Sequence, residues 1–140
     1  MIPKLRLPPV GAETIVILGT KAQPGSVLNQ SLGGRGFLPI LAVEPQEVEN
    51  LFDQAMVSAL IVMDSVPVDV TLTLCRSLRA RNAVTPIMVL LNEQTNNHGI
   101  ELLEAGADHF EVQPVAVEDL LRALYAFTRR SFRLPKGVMV

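Results

Sequence analysis

The stretch Ala59-Leu60-Ile61-Val62-Met63-Asp64, ALIVMD, decides how this chain folds. Its consecutive apolar side chains, Ile61 and Val62 among them β-branched, show no polar alternation. That is the pattern of a strand covered on both faces. A lone carboxylate, Asp64, closes the run. Ligands and chemistry gather at the carboxyl ends of the strands in an open parallel sheet, so Asp64 is the first candidate functional residue.

Runs of the same kind flank it on both sides: Thr14–Leu18 (TIVIL), Phe37–Val43 (FLPILAV), Pro86–Leu91 (PIMVLL) and a short one at Phe110–Val112. Pro39 has no N–H to give a ladder, which predicts that it lies at a sheet edge or at the start of its strand, as suits an outer strand. Between the strands the apolar spacing turns helical. Ser26–Leu32 starts on an N-cap serine and is stopped by Gly33 and Gly34. A second helix covers Gln46–Ala55. A third is capped by Asp69 and runs to Arg81, with Val70, Leu74, Cys75 and Leu78 inward and Arg76, Arg79 and Arg81 toward solvent. The Asn-rich stretch Asn92–His98 predicts a late or loosely held helix start. Ile100–Ala105 follows, stopped by Gly106. The last helix, Val117–Arg130, has Glu118 and Asp119 in its first turn and Arg129 and Arg130 in its last, in accord with the macrodipole.

Alternation of strand and helix implies right-handed crossovers. The expected fold is α/β: a doubly wound, five-stranded parallel sheet of order 2-1-3-4-5, flavodoxin-like, with its crevice at the ends of strands one and three. Residues 1–12 read as an N-terminal extension, 13–130 as the domain and 131–140 as a basic tail or linker.

Composition narrows the function classes. The 140 residues suit one domain, and 49% hydrophobic with 4% aromatic content fits an aliphatic interior. A formal charge of -2 gives no general attraction to nucleic acid. No apolar run approaches the roughly 18 residues of a membrane span, and prolines interrupt MIPKLRLPPV as a signal peptide. A cytoplasmic location without membrane contact is expected. Cys75 is the single cysteine and has no ligand spacing around it, so no metal or cofactor is assigned. His98 and His109 read as surface groups. The glycines of Gly33–Gly36 follow a helix instead of joining a strand to one, which disfavours a phosphate loop.

The runs CRSLRARNAVTPIMVL (Cys75–Leu90) and LEAGADHFEVQP (Leu103–Pro114) resemble the receiver domain of two-component response regulators, and the resemblance spans residues 13 to 130. In that family two acidic residues after strand one and a phosphoacceptor Asp after strand three hold magnesium. A Thr or Ser after strand four and a Lys before the final Pro bind the phosphoryl group. The metal and the ammonium offset the charge of crowded oxygens. The resemblance puts Asp64 at the phosphoacceptor position and Gly19 and Thr20 at the acidic pair. Leu91 falls at the Thr/Ser position and Gln113 at the Lys position. Every required group except Asp64 is replaced. The implied protein is an atypical, phosphorylation-independent receiver, a pseudo-receiver, with Asp64 hydrogen-bonded to backbone amides of the next loop. The equivalent Lys-Pro bond is cis in the family, so Gln113-Pro114 is expected to be cis.

Family members pair through the fourth helix, fifth strand and fifth helix. In the last helix Leu120, Leu121, Leu124, Phe127 and Thr128 form an apolar stripe that Ala123 and Tyr125 widen. Core packing explains most of this stripe, and its excess, with Leu121, Tyr125 and Thr128, is the candidate homodimer interface. The family's winged-helix members carry arginines at the positions of Ala123 and Tyr125, so a dimer here would rest on apolar contact. The expected function is a protein interaction or dimerisation module, without enzymatic activity, in the regulatory part of a signalling or transcription-control protein. It would contact protein partners and no nucleic acid directly. Two other readings stay open: a degenerate receiver still phosphorylated on Asp64, and a flavodoxin-like domain binding a small molecule beside Gly19, Thr20 and Asp64.

Overall fold

The computed structural model describes residues 13–19 and 26–132. The expected N-terminal extension, Thr20 and residues 133–140 of the tail lie outside the described residues. The strands are β1 (Glu13–Leu18), β2 (Phe37–Ala42), β3 (Ala59–Val62), β4 (Ile87–Leu91) and β5 (His109–Val112). The helices are α1 (Ser26–Gly33), α2 (Pro45–Gln54), α3 (Val68–Ala80), α4 (Gly99–Ala105) and α5 (Val117–Phe132), with a short 3-10 turn over Asn96–His98 before α4. All pairings are parallel and the order is β2-β1-β3-β4-β5, as the alternation implies.

β3 is buried along its whole length because both faces of the sheet are covered. Leu60 and Val62 join Val16, Leu18, Val89 and Leu91 in one layer, against Val48 of α2, Leu74, Cys75 and Leu78 of α3 and Leu102 of α4. Ile61 joins Ile15, Ile17, Met88 and Leu90 in the opposite layer, against Leu28 and Leu32 of α1 and Leu120, Leu121 and Leu124 of α5. Each Leu or Ile so buried contributes about 1.5–3 kcal/mol.

Pro39 sits in the middle of an edge strand. The Gly19 N–H donates to the Ala42 carbonyl at 3.0 Å, which turns the even-numbered backbone groups of β2 toward β1. Pro39 therefore faces the open edge, where its missing donor leaves no ladder bond unmade and blunts pairing with another strand.

Several local expectations are corrected. Pro67 precedes α3 and Asp69 lies in its first turn, so Asp69 is not the cap. The left-handed residue of the α1–β2 turn is Gly36, at φ +90°, after Arg35 N–H bonds the Leu32 carbonyl at 3.0 Å. Arg81 is exposed, as expected, and Arg79 is half-buried, but both are engaged in polar contacts. Arg81 pairs with Glu49 of α2 at 2.7 Å and with Asp53. Arg79 donates to the carbonyls of Gly106 (2.9 Å), Ala83 (2.7 Å) and Thr85 (3.0 Å) and to Asp108 Oδ2 (2.7 Å). The Asp108 carboxylate also accepts from Ile87 N–H at 2.8 Å, tying the end of α3 to the starts of β4 and β5. Gln113-Pro114 is cis, as expected.

Candidate functional site

The strand register brings Gly19, Asp64, Leu91 and Gln113 to one end of the sheet. Met63 N–H bonds the Leu18 carbonyl at 2.9 Å, and Gln113 N–H bonds the Leu91 carbonyl at 2.6 Å. Asp64 follows β3 in a turn and is half-buried. Its partner is not a backbone amide of the next loop, as expected, but the Asn92 side chain, whose Nδ2 donates to Asp64 Oδ2 at 3.4 Å.

The other positions offer little to a phosphoryl group. Gly19 is buried and has no side chain. Leu91 is 3% exposed and wholly apolar, so it has no hydroxyl to give. Gln113 turns its Oε1 to accept from Val115 N–H at 3.1 Å, closing the turn after β5, and it carries no charge. Among the described residues no group of three or more His, Cys, Asp or Glu could hold a metal ion. Magnesium favours an octahedral shell of hard oxygens, and Asp64 beside Gly19, Leu91 and Gln113 does not fit that requirement.

Asn92 is the site residue missed in the sequence. Its Oδ1 accepts from Gln94 N–H (2.9 Å), Thr95 N–H (3.1 Å) and Thr95 Oγ1 (3.1 Å), while the Asn92 N–H donates to Thr95 Oγ1 at 2.9 Å. The helix starts late, at Gly99, as expected, and the Asn-rich stretch before it is a hydrogen-bonded turn, not a loosely held one. A polar side chain that directly follows a buried strand, three residues before a threonine, was the available signal.

The candidate interface on α5 is also corrected. Leu121 is 1% and Thr128 0% exposed, buried inside the chain itself. Thr128 Oγ1 donates to the Leu124 carbonyl at 2.7 Å. The Tyr125 ring packs on Phe37, with centroids 5.3 Å apart, and its hydroxyl donates to the Arg35 carbonyl at 3.3 Å. The helix needs a wide apolar face because it covers the sheet and flanks α1. His109 is also more than a surface group, with Nε2 2.6 Å from Glu111 Oε2 and its ring 5.7 Å from Phe127. Exposed apolar side chains occur on α4, where Ile100 is 66% and Leu103 38% exposed, as well as at Leu38 and Leu41 of β2 and at Val43, Met56 and Val84 in the loops.

No family model matches the chain. The response regulator MprA of Mycolicibacterium vanbaalenii is 31% identical to it over 104 residues, 74% of this chain. The chain belongs to the receiver family of two-component response regulators. This receiver spans about half the length of the curated relatives it matches, 45% in the case of MprA. Solved structures share the receiver fold. The Francisella response regulator 1452 receiver domain has a TM-score of 0.76 at 17% identity, covering 85% of this chain and 98% of that one. The receiver domain of the sensor histidine kinase PA1611 from Pseudomonas aeruginosa, with magnesium coordinated in its active-site cleft, has a TM-score of 0.73 at 17% identity, covering 85% and 99%. Among the described residues of this receiver no helix is long and apolar enough to cross a membrane.

Proposed function

We propose that this receiver domain works without phosphoryl transfer, as a cytoplasmic protein interaction module in the regulatory part of a signalling or transcription-control protein. The observation that carries this reading is the set of neighbours around Asp64: Gly19, a buried Leu91 and a Gln113 occupied with its own turn. None of these supplies a metal ligand carboxylate or a cation, and phosphoryl transfer to a carboxylate depends on both. The domain, residues 13–130, would act by binding protein partners and not by catalysis, with no direct contact to nucleic acid or membrane. Residues 1–12 and 131–140 would be its extension and linker.

A homodimer would form on α4 more readily than on the stripe of α5. Ile100 and Leu103 are exposed, while the broad apolar side of α5 is filled by the chain's own packing. A second reading, that Asp64 still accepts a phosphoryl group, is favoured by its being only half-buried at a strand end. Titration with beryllofluoride and magnesium, followed by amide NMR shifts, separates the two. The first reading predicts no saturable change around Asp64. A saturable change there that disappears in Asp64→Asn would establish the second.

A further inference from the structure

Between the first turns of α2 and α3 runs a groove lined by Pro45 and Glu49 of α2 and by Asp69, Val70, Thr73 and Leu74 of α3. We infer that this groove docks a protein partner through a Lys or Arg flanked by an aliphatic side chain, the apolar part lying on Val70 and Leu74 and the cation beside Asp69. This rests on the reading of the domain as a protein interaction module, and it names the chemistry of one partner surface.

The groove is held open by its own side chains. Glu49 accepts from Ser77 Oγ of α3 and from the Arg81 guanidinium at the end of that helix, each at 2.7 Å, which ties the two helices together beside the groove. The enclosed volume is about 230 Å³, below the roughly 300 Å³ at which small-molecule pockets begin. It therefore admits side chains and not a cofactor. Leu74 is buried in the core beneath, and Val70 packs half-buried against that core. Such a floor suits the stem of a Lys or Arg, whose methylenes lie along apolar surface while the charged head stays in water. With both Glu49 oxygens engaged, the exposed Asp69 is the carboxylate of the lining left to meet a ligand, too few for a metal ion.

Charge favours a cation over an anion. No Lys, Arg or His occurs between Gly36 and Cys75, a span that carries six acids. Helix N-termini attract anions, and two of them border the groove, but each supplies only about half a positive charge. Against them stand Glu44, Glu47, Glu49 and Asp69, of which only Glu49 forms an ion pair among the described residues. Arg76, the first base of α3, stands two turns beyond Asp69, about 10 Å along the helix, where salt screens most of its effect.

The test is a titration of the isotope-labelled full chain with the peptide acetyl-Gly-Arg-Leu-Ala-Arg-Leu-Gly-amide, followed by amide NMR shifts. Magnesium and phosphoryl donors are left out, so failure here is distinguishable from failure of the phosphorylation-independent reading. Saturable shifts are expected at Glu49, Val70, Thr73 and Leu74, with β4 and α5 unmoved. Asp69→Lys should weaken binding about 10-fold, because it removes one exposed ion pair and adds a repulsion of similar size. Glu104→Lys on α4 makes the same change in net charge and should alter affinity by less than about 2-fold. Peptides with both Leu replaced by Ser, or both Arg by Glu, should not saturate the groove. The proposal is overturned if no shifts occur, if they spread over the acidic surface or fall elsewhere, if the two charge reversals weaken binding equally, or if either altered peptide binds as the parent does. Groove amides that move with protein concentration alone, before any peptide is added, would make the occupant a second copy of this chain and overturn the assignment to a different partner.

Discussion

Arg79 meets acceptors from two separate segments, one with Ala83 and Thr85 and one with Gly106 and Asp108, which explains why a residue placed on the polar side of a helix matters to the fold. Removing its guanidinium leaves the carbonyls of Ala83, Thr85 and Gly106 short of a donor and Asp108 without its ion-pair partner. Arg79→Met, which keeps the stem, should cost about 2–3 kcal/mol of stability, measured by urea unfolding; an unchanged midpoint would contradict the network. Gly99 poses the opposite problem. Alanine in a helix gains up to ~1 kcal/mol over glycine, but here its Cβ meets the Phe110 ring. Overpacking costs about 1–3 kcal/mol, so Gly99→Ala should be destabilising by about 1 kcal/mol on balance. A more stable variant would show that the ring yields freely. Neither effect was legible in the sequence, because Gly106 and Asp108 reach Arg79 from 27 and 29 residues away and Phe110 meets Gly99 only through the return of the chain from α4 to β5.

Among the elements, the strands were the most legible. ALIVMD and PIMVLL are read from burial alone, and Pro39 marked the edge because a missing N–H has only a few tolerable places in a sheet. On α5 the core part of the stripe was legible but its excess was misassigned for a physical reason: Ala123 and Tyr125 widen the stripe, and the same pattern serves a helix packed on a sheet and on a neighbouring helix. Sequence spacing gives the width of an apolar face and not its partner. The start of α2 yields a pH prediction. The backbone N–H groups of Glu44 and Val43 donate to Glu47 Oε1 at 2.8 and 2.7 Å and hold its carboxyl below the usual range. With a lowered pKa in the folded state, this contribution is present above the ordinary glutamate range and fades as pH falls through the folded value. The Val43 and Glu44 amide resonances should titrate with a midpoint below that of an unperturbed glutamate, and Glu47→Gln should abolish the step. A midpoint at the ordinary value would show that the Glu47 carboxylate does not hold these two amides in solution.

For the whole molecule, the topology followed from alternation of strand and helix, and the positions of the site followed from the resemblance of Cys75–Pro114 to receiver sequences. What the sequence did not disclose is how the ends of the strands are filled. Gln113 turns to its own loop, and Asn92 takes the place beside Asp64. The result is a receiver scaffold with an intact central strand and, at its end, a half-buried carboxylate facing the Asn92 amide. That makes the chemical competence of Asp64 the point on which the account turns. Intact-mass measurement of the chain after incubation with magnesium and acetyl phosphate tests it most directly. The account predicts an unshifted mass at every time point, whereas a phosphoryl adduct that forms on the wild type and is lost in Asp64→Asn would contradict it.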